Sequence, residues 1–166
     1  MKEEWFPLVN EAGETIGKAT RKECHSGSKL LHPVVHLHIF NDKGDLYLQK
    51  RSMRKDIQPG KWDTAVGGHV DYGEQTGDAL QREVREELGV TDFIPTFIMR
   101  YVFESAIEKE LVNTFKTIYN GPFSPDPEEL DEGKFWSLEE IESNLGKGIF
   151  TPNFESEYKR LKKECL

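Results

Sequence analysis

The sequence has little cysteine: only Cys24 and Cys165, far apart and in no metal-type spacing. That excludes a disulfide framework, and the default reading is two free thiols in a cytoplasmic protein. No apolar run approaches the ~18 residues of a membrane span, so no membrane partner is expected. The opening MKEEWFPLVNEAGE has neither the basic nor the apolar region of a signal peptide. Positive charge is in deficit, with 22 Lys and Arg against 30 Asp and Glu and a net charge of -8. Without a basic patch, tight binding to a nucleic-acid backbone is not expected. Repeats, low-complexity segments and linkers are also missing, so residues 1–166 are expected to form one domain. An acidic protein of this kind that handled phosphates would need metal ions to neutralise its own site.

What is present is a globular composition, 36% hydrophobic with ten Phe and three Trp, enough for a core. Residues 5–20 read as two short strands about a turn at Asn10–Gly13, and Arg21 to Ser28 as polar loop. His32–Phe40 and Leu46–Arg51 read as a hairpin about NDKGD, followed by a loop, 52–61, and a short strand from Trp62 to Val66 that leads into Gly67–Gly68. A helix is predicted from Thr76 or Asp78 to Leu88, with Ala79, Leu80, Val84 and Leu88 as its apolar stripe and Gly89 as its stop. Phe93–Phe103 and Leu111–Tyr119 form a second hairpin, and Lys134–Trp136 a short strand. Ser137 with Glu140 is a capping box, and Thr151–Pro152 opens a last helix with Phe154, Tyr158 and Leu161 on one face. The expected class is α/β, a mixed, largely antiparallel sheet with helices on both faces.

The densest chemistry lies in Gly68–Val90, GHVDYGEQTGDALQREVREELGV. Glu83, Glu86 and Glu87 are three and four residues apart, so a helix puts them on one face within a turn of each other. Like charges so placed repel. The bland reading is a solvated acidic face; the sharper one is a divalent cation among them, with Mg²⁺ the natural partner for carboxylate and phosphate oxygens.

With its spacing the stretch reads Gly68, five residues, Glu74, seven residues, Arg82-Glu83-Val84, one residue, Glu86-Glu87, one residue, Gly89-Val90. It resembles the Nudix hydrolase signature at every specified position, an agreement expected by chance less than about once in a million. The resemblance implies a Nudix fold, an α/β/α sandwich whose signature is a loop–helix–loop. It also implies hydrolysis of a nucleoside diphosphate derivative or related small-molecule diphosphate, with Mg²⁺ or Mn²⁺ as cofactor. Glu83 and Glu87 are then the expected metal ligands, and Glu86 is a third ligand or a partner for Arg82. The Gly68 carbonyl completes the metal shell in the family pattern. The base is Glu83 or a glutamate outside the helix, and Glu74 ties loop to helix. Many relatives pair, so a homodimer is an expectation by analogy.

The flanking sequence resembles one branch of that superfamily, the isopentenyl-diphosphate isomerases and their hydrolase-like relatives. The residues are Arg51-Ser52, Lys55-Asp56, Pro59-Gly60-Lys61-Trp62-Asp63 and Gly68-His69, with His25, His32 and Glu108-Lys109-Glu110. The resemblance implies a second divalent metal held by His25, His32, His69, Glu108 and Glu110, a donor set that suits Mn²⁺, Zn²⁺ or Fe²⁺. His36 and His38 have no match and are expected to be ordinary polar residues. The isomerases carry a catalytic cysteine just before the Gly-His pair, where this chain has Gly67. A glycine has no side chain to move a proton, and the hydrolase signature is intact, so hydrolysis is favoured over isomerisation. A non-catalytic diphosphate sensor is the third alternative. Of the cations near the site, Arg51 and Lys55 are the expected substrate contacts. Trp62 is expected in the core, and Glu129 is an outlying candidate acid.

Overall fold

The computed structural model describes residues 3–55, 57–128 and 130–166. Asp56 of the flanking motif and the candidate acid Glu129 lie outside the described residues. The strands are β1 (Trp5–Val9), β2 (Thr15–Thr20), β3 (Leu31–Phe40), β4 (Leu46–Arg51), β5 (Trp62–Thr64), β6 (Val66–His69), β7 (Thr96–Glu104), β8 (Lys109–Ile118) and β9 (Leu130–Trp136). The helices are α1 (Arg21–Cys24), α2 (Thr76–Leu88), α3 (Leu138–Asn144) and α4 (Pro152–Cys165).

β1 and β2 form a separate hairpin. The main sheet runs β5-β4-β3-β8-β7, with β6 also on β3 and β9 also on β4. It is mixed because β3 and β8 run parallel, Leu31 opposite Lys109 through to Phe40 opposite Ile118. The other strand pairs among the described residues are antiparallel. β3 is the backbone of the site, and its alternation sorts side chains between two cores. Val35, Leu37 and Ile39 pack with Ala79, Leu80, Val84 and Leu88 of α2. Phe40, with Leu46, Leu48, Trp62 and Trp136, packs with Ile141 of α3 and with Phe154, Tyr158 and Leu161 of α4. Helices therefore cover both faces, and Trp62 is a core residue as expected.

α2 ends where its sequence says it should. Gly89 takes a left-handed φ of 67° and its N–H bonds the carbonyl of Arg85, a conformation that L side chains rarely adopt.

Three local expectations need correction. Arg21–Cys24 is a helical turn rather than loop, because Thr20 and Glu23 close a capping box. The segment from Trp62 is two strands broken at Ala65, β5 pairing with β4 and β6 with β3. Gly67 and Gly68 therefore lie within β6, opposite His36 and Val35, and the positive-φ glycine of this region is Gly73. β9 begins four residues earlier than Lys134, its pattern hidden by Asp131, Glu132 and a Gly133 whose Cβ would sit 1.9 Å from the Tyr47 hydroxyl.

Candidate active site

A cavity of about 610 Å³ opens where β3, β4, β6, α2 and β8 meet. Glu83, Glu86 and Glu87 line it from α2, Gly67, Gly68 and His69 from β6, and Arg51 with Lys55 from β4 and the loop beyond. Glu108, just before β8, and Glu110, at its start, line it as well. The expected signature acids and the two expected substrate cations thus share one cavity. Arg21, His36, Gln49, Asp126 and Asn153 line it too and had no distinguishing pattern in the sequence; Asp63, the last residue of the flanking Pro59–Asp63 motif, also lines it.

The signature is held together by Arg82. Its Nε and Nη2 donate to the two carboxylate oxygens of Glu74 at 2.9 and 3.0 Å. Nη1 reaches Glu83 at 2.8 Å and Glu86 at 3.4 Å, and Nη2 also donates to the His69 carbonyl at 3.0 Å. Glu74 in turn accepts from the Asp71 N–H. This forked, charge-assisted grip fastens loop, strand end and helix, so Arg82 positions the acids. Glu83 lies directly on the Gly68 backbone: a Cβ there would be 2.2 Å from its carboxyl carbon. Burial raises the Glu83 pKa, against the lowering by Arg82 and by a hydrogen bond with Glu87. Closely set carboxylates, one of them desolvated against a backbone, form an oxygen donor set that fits a hard divalent cation.

The second cluster is assembled from four elements. α1 delivers His25 at its C-terminal cap, β3 delivers His32, β6 delivers His69, and Glu108 precedes β8. One ligand atom from each of His25, His32, His69 and Glu108 lies within 4.8 Å of all the others. The Nε2 atoms of all three histidines are buried and make no well-aligned hydrogen bond, although that of His25 is within ion-pair distance of Glu108. His25 Nε2 is 2.8 Å from Glu108, and His32 and His69 Nε2 lie 3.9 and 3.8 Å from Glu110. His32 Nδ1 is 2.9 Å from the Leu30 carbonyl, which leaves the Nε2 lone pair directed inward. Phe6 of β1 roofs the cluster, stacked on His69 with ring centres 4.6 Å apart.

Burial drives the electrostatics here. It pushes His69 down to about 3, helped by neighbouring His32 and Arg21, and lowers His25 and His32. It also pushes Glu110 up to about 7, with Glu108 adding to the effect. Neutral imidazoles with inward lone pairs are in the ligating protonation state. Three buried imidazole nitrogens without a well-aligned hydrogen bond, beside two carboxylates, are a donor set that fits a borderline cation.

His36 and His38 are not ordinary polar residues. Both bind Glu157 of α4, His36 Nδ1 at 2.8 Å and His38 Nε2 at 2.6 Å. Burial alone would lower the His36 pKa, but the Glu157 carboxylate outweighs it and raises the ring to about 9. Glu157 itself lies well below the carboxylate range for the converse reason. The only hint of Glu157 in the sequence was an acid flanking the apolar stripe of the last helix.

Comparison with known proteins agrees with this architecture. The NUDIX domain family matches residues 30–154. An uncharacterised Nudix hydrolase of Listeria monocytogenes is 36% identical over 154 residues, 92% of this chain and 90% of its own. An isopentenyl-diphosphate Delta-isomerase of Mycolicibacterium vanbaalenii is 36% identical over 129 residues, covering 74% of this chain and 71% of the relative. A crystal structure from Deinococcus radiodurans superimposes with a TM-score of 0.80 at 24% identity, over 95% of this chain and 98% of that one, a likeness of fold. The chain belongs to the Nudix hydrolase family.

Proposed function

We propose that this protein is a Mg²⁺- or Mn²⁺-dependent hydrolase of a small diphosphate compound, cleaving a phosphoanhydride by attack of water on phosphorus. The observation that carries this reading is the placement of Glu83, packed on the Gly68 backbone beside Glu86 and Glu87 in one cavity with Arg51 and Lys55. Glu83, Glu87 and the Gly68 carbonyl would hold the cation, with Glu86 as a third acid that also meets Arg82. When bound, such a cation screens the diphosphate charge and lowers the pKa of water. Arg82 and Glu74 keep the helix acids in register with the strand. Arg51, whose Nε donates to the Ile57 carbonyl at 3.0 Å, and Lys55 supply donors for phosphate oxygens. A glutamate of this cavity takes the proton from the attacking water.

His25, His32, His69, Glu108 and Glu110 would hold a second divalent cation of the Mn²⁺, Zn²⁺ or Fe²⁺ class beside the first. The similarity to a relative named as an isomerase keeps that chemistry as the competing reading. Against it, Gly67 offers no group to exchange a proton with an alkene. A screen of nucleoside diphosphate derivatives, dinucleoside polyphosphates and prenyl diphosphates, with Mg²⁺ and with Mn²⁺, tests the proposal. Phosphate or phosphomonoester release from one of these classes is expected; allylic isomer from isopentenyl diphosphate, without hydrolysis, would overturn it.

A further inference from the structure

Four side chains from three strands converge on one carboxylate beneath α4. Glu157 is 1% exposed. Its Oε1 faces His36 Nδ1 at 2.8 Å and accepts from the hydroxyls of Tyr101 and, at 3.3 Å, Thr114. Its Oε2 faces His38 Nε2. His38 and Thr114 are fully buried, and Tyr101 lies under the guanidinium of Arg160. Of these partners, only His36 also lines the catalytic cavity.

The His36 ring has two distinct edges. Nδ1 is spent on Glu157. The opposite edge faces Gly67, where a Cβ would sit 3.3 Å from Cδ2 and 3.6 Å from Nε2. Nε2 makes no hydrogen bond to another described residue. A buried carboxylate costs several kcal/mol to desolvate, and apolar packing would stabilise the fold equally well. What the arrangement adds is one oriented imidazolium on a cavity wall crowded with glutamates. A diphosphate entering that cavity needs donors as well as metal ligands.

We propose that His36 is a substrate-binding residue whose Nε2–H donates to a non-bridging oxygen of the bound diphosphate. Glu157 is its positioning residue, and the missing side chain at Gly67 leaves the donor edge open. The assignment rests on the cavity being a diphosphate site.

Isothermal titration of the full chain with methylenediphosphonate in Mg²⁺ tests it directly. His36→Ala is expected to weaken binding about 10- to 100-fold, the usual loss for one charge-assisted hydrogen bond. Glu157→Gln should weaken it less, and His36→Gln should recover part of the loss by restoring a neutral N–H. Mn²⁺ affinity, read by electron paramagnetic resonance without diphosphonate, should stay within about twofold of wild type. If His36→Ala does not fold, Gly67→Ala carries the test, since its methyl crowds the ring edge and should weaken diphosphonate binding several-fold. Binding within twofold of wild type in the folded variants overturns the role of His36, even where hydrolysis of other substrates proceeds. Absence of diphosphonate binding by the wild-type protein also overturns it. His36-dependent binding without any hydrolysis would support the site while removing the hydrolase reading.

Discussion

The carboxyl group of Glu83 occupies the space that a side chain at Gly68 would need: the distance to a Cβ built there is 2.2 Å. Gly68→Ala should therefore displace Glu83 while disturbing little else, because the displaced atoms end a flexible side chain. Mn²⁺ affinity at the signature is expected to fall at least tenfold, with a melting temperature within a few degrees of wild type. Unchanged Mn²⁺ affinity would remove Gly68 and Glu83 as a unit.

Glu83→Gln and Glu87→Gln keep size and lose charge. Each is expected to abolish most turnover, on the order of 10²-fold or more, as removal of a group acting on the reacting centre does. Circular dichroism should be unchanged. Full activity in either variant would detach these acids from the chemistry.

His32 is fully buried, and its Nε2 lacks a partner. His32→Ala should lower the Zn²⁺ or Mn²⁺ stoichiometry, measured by elemental analysis after dialysis, by about one ion per chain, leaving the signature site loaded. The same metal content in wild type and variant would show that the histidine cluster holds no ion.

The His36–Glu157 pair predicts a pH dependence of stability. The folded His36 pKa is about 9 against an ordinary 6.5, so its stabilisation is complete below 6.5 and is lost as pH rises through 9. Glu157 is depressed, so its share is present above about 4.5 and is lost as pH falls. Glu110 and Asp63 also face His36 and favour its cation. Wild-type stability should decline between pH 6.5 and 9 by on the order of 3 kcal/mol from this source. In Glu157→Gln that decline should be largely gone in denaturant titrations. An identical slope in both proteins would mean the pair is not charged.

Isopentenyl diphosphate is a discriminating substrate. With Gly67 in the strand and no thiol among the described residues that line the cavity, no allylic product is expected by nuclear magnetic resonance over long incubation. Its appearance at a useful rate would assign isomerase chemistry to other residues of the cavity.

Much of the frame was legible because its signals are local. The α2 stripe, the Gly89 stop and the Ser137 capping box depend on neighbours three or four residues away. The missed turn at Arg21–Cys24 carried the same kind of signal in Thr20 and Glu23, in a segment whose polarity suggested loop. The split of β5 from β6 was not local. It depends on Ala65 passing the chain from β4 to β3, and no residue within the segment reports its partners.

The sequence by itself determined the acidic helix and its family, because a helical repeat places Glu83, Glu86 and Glu87 together whatever surrounds them. It also excluded a thiol at position 67. Only the tertiary structure decided the company these residues keep. Strand alternation turns His36 and His38 toward α4, and helix packing brings Glu157, 121 residues after His36, within 2.8 Å of it. Burial then keeps His69 neutral, while the Glu157 carboxylate overrides burial and makes His36 cationic. Desolvation and ion pairing act through space, so identical imidazoles acquire opposite roles according to what the fold packs against them.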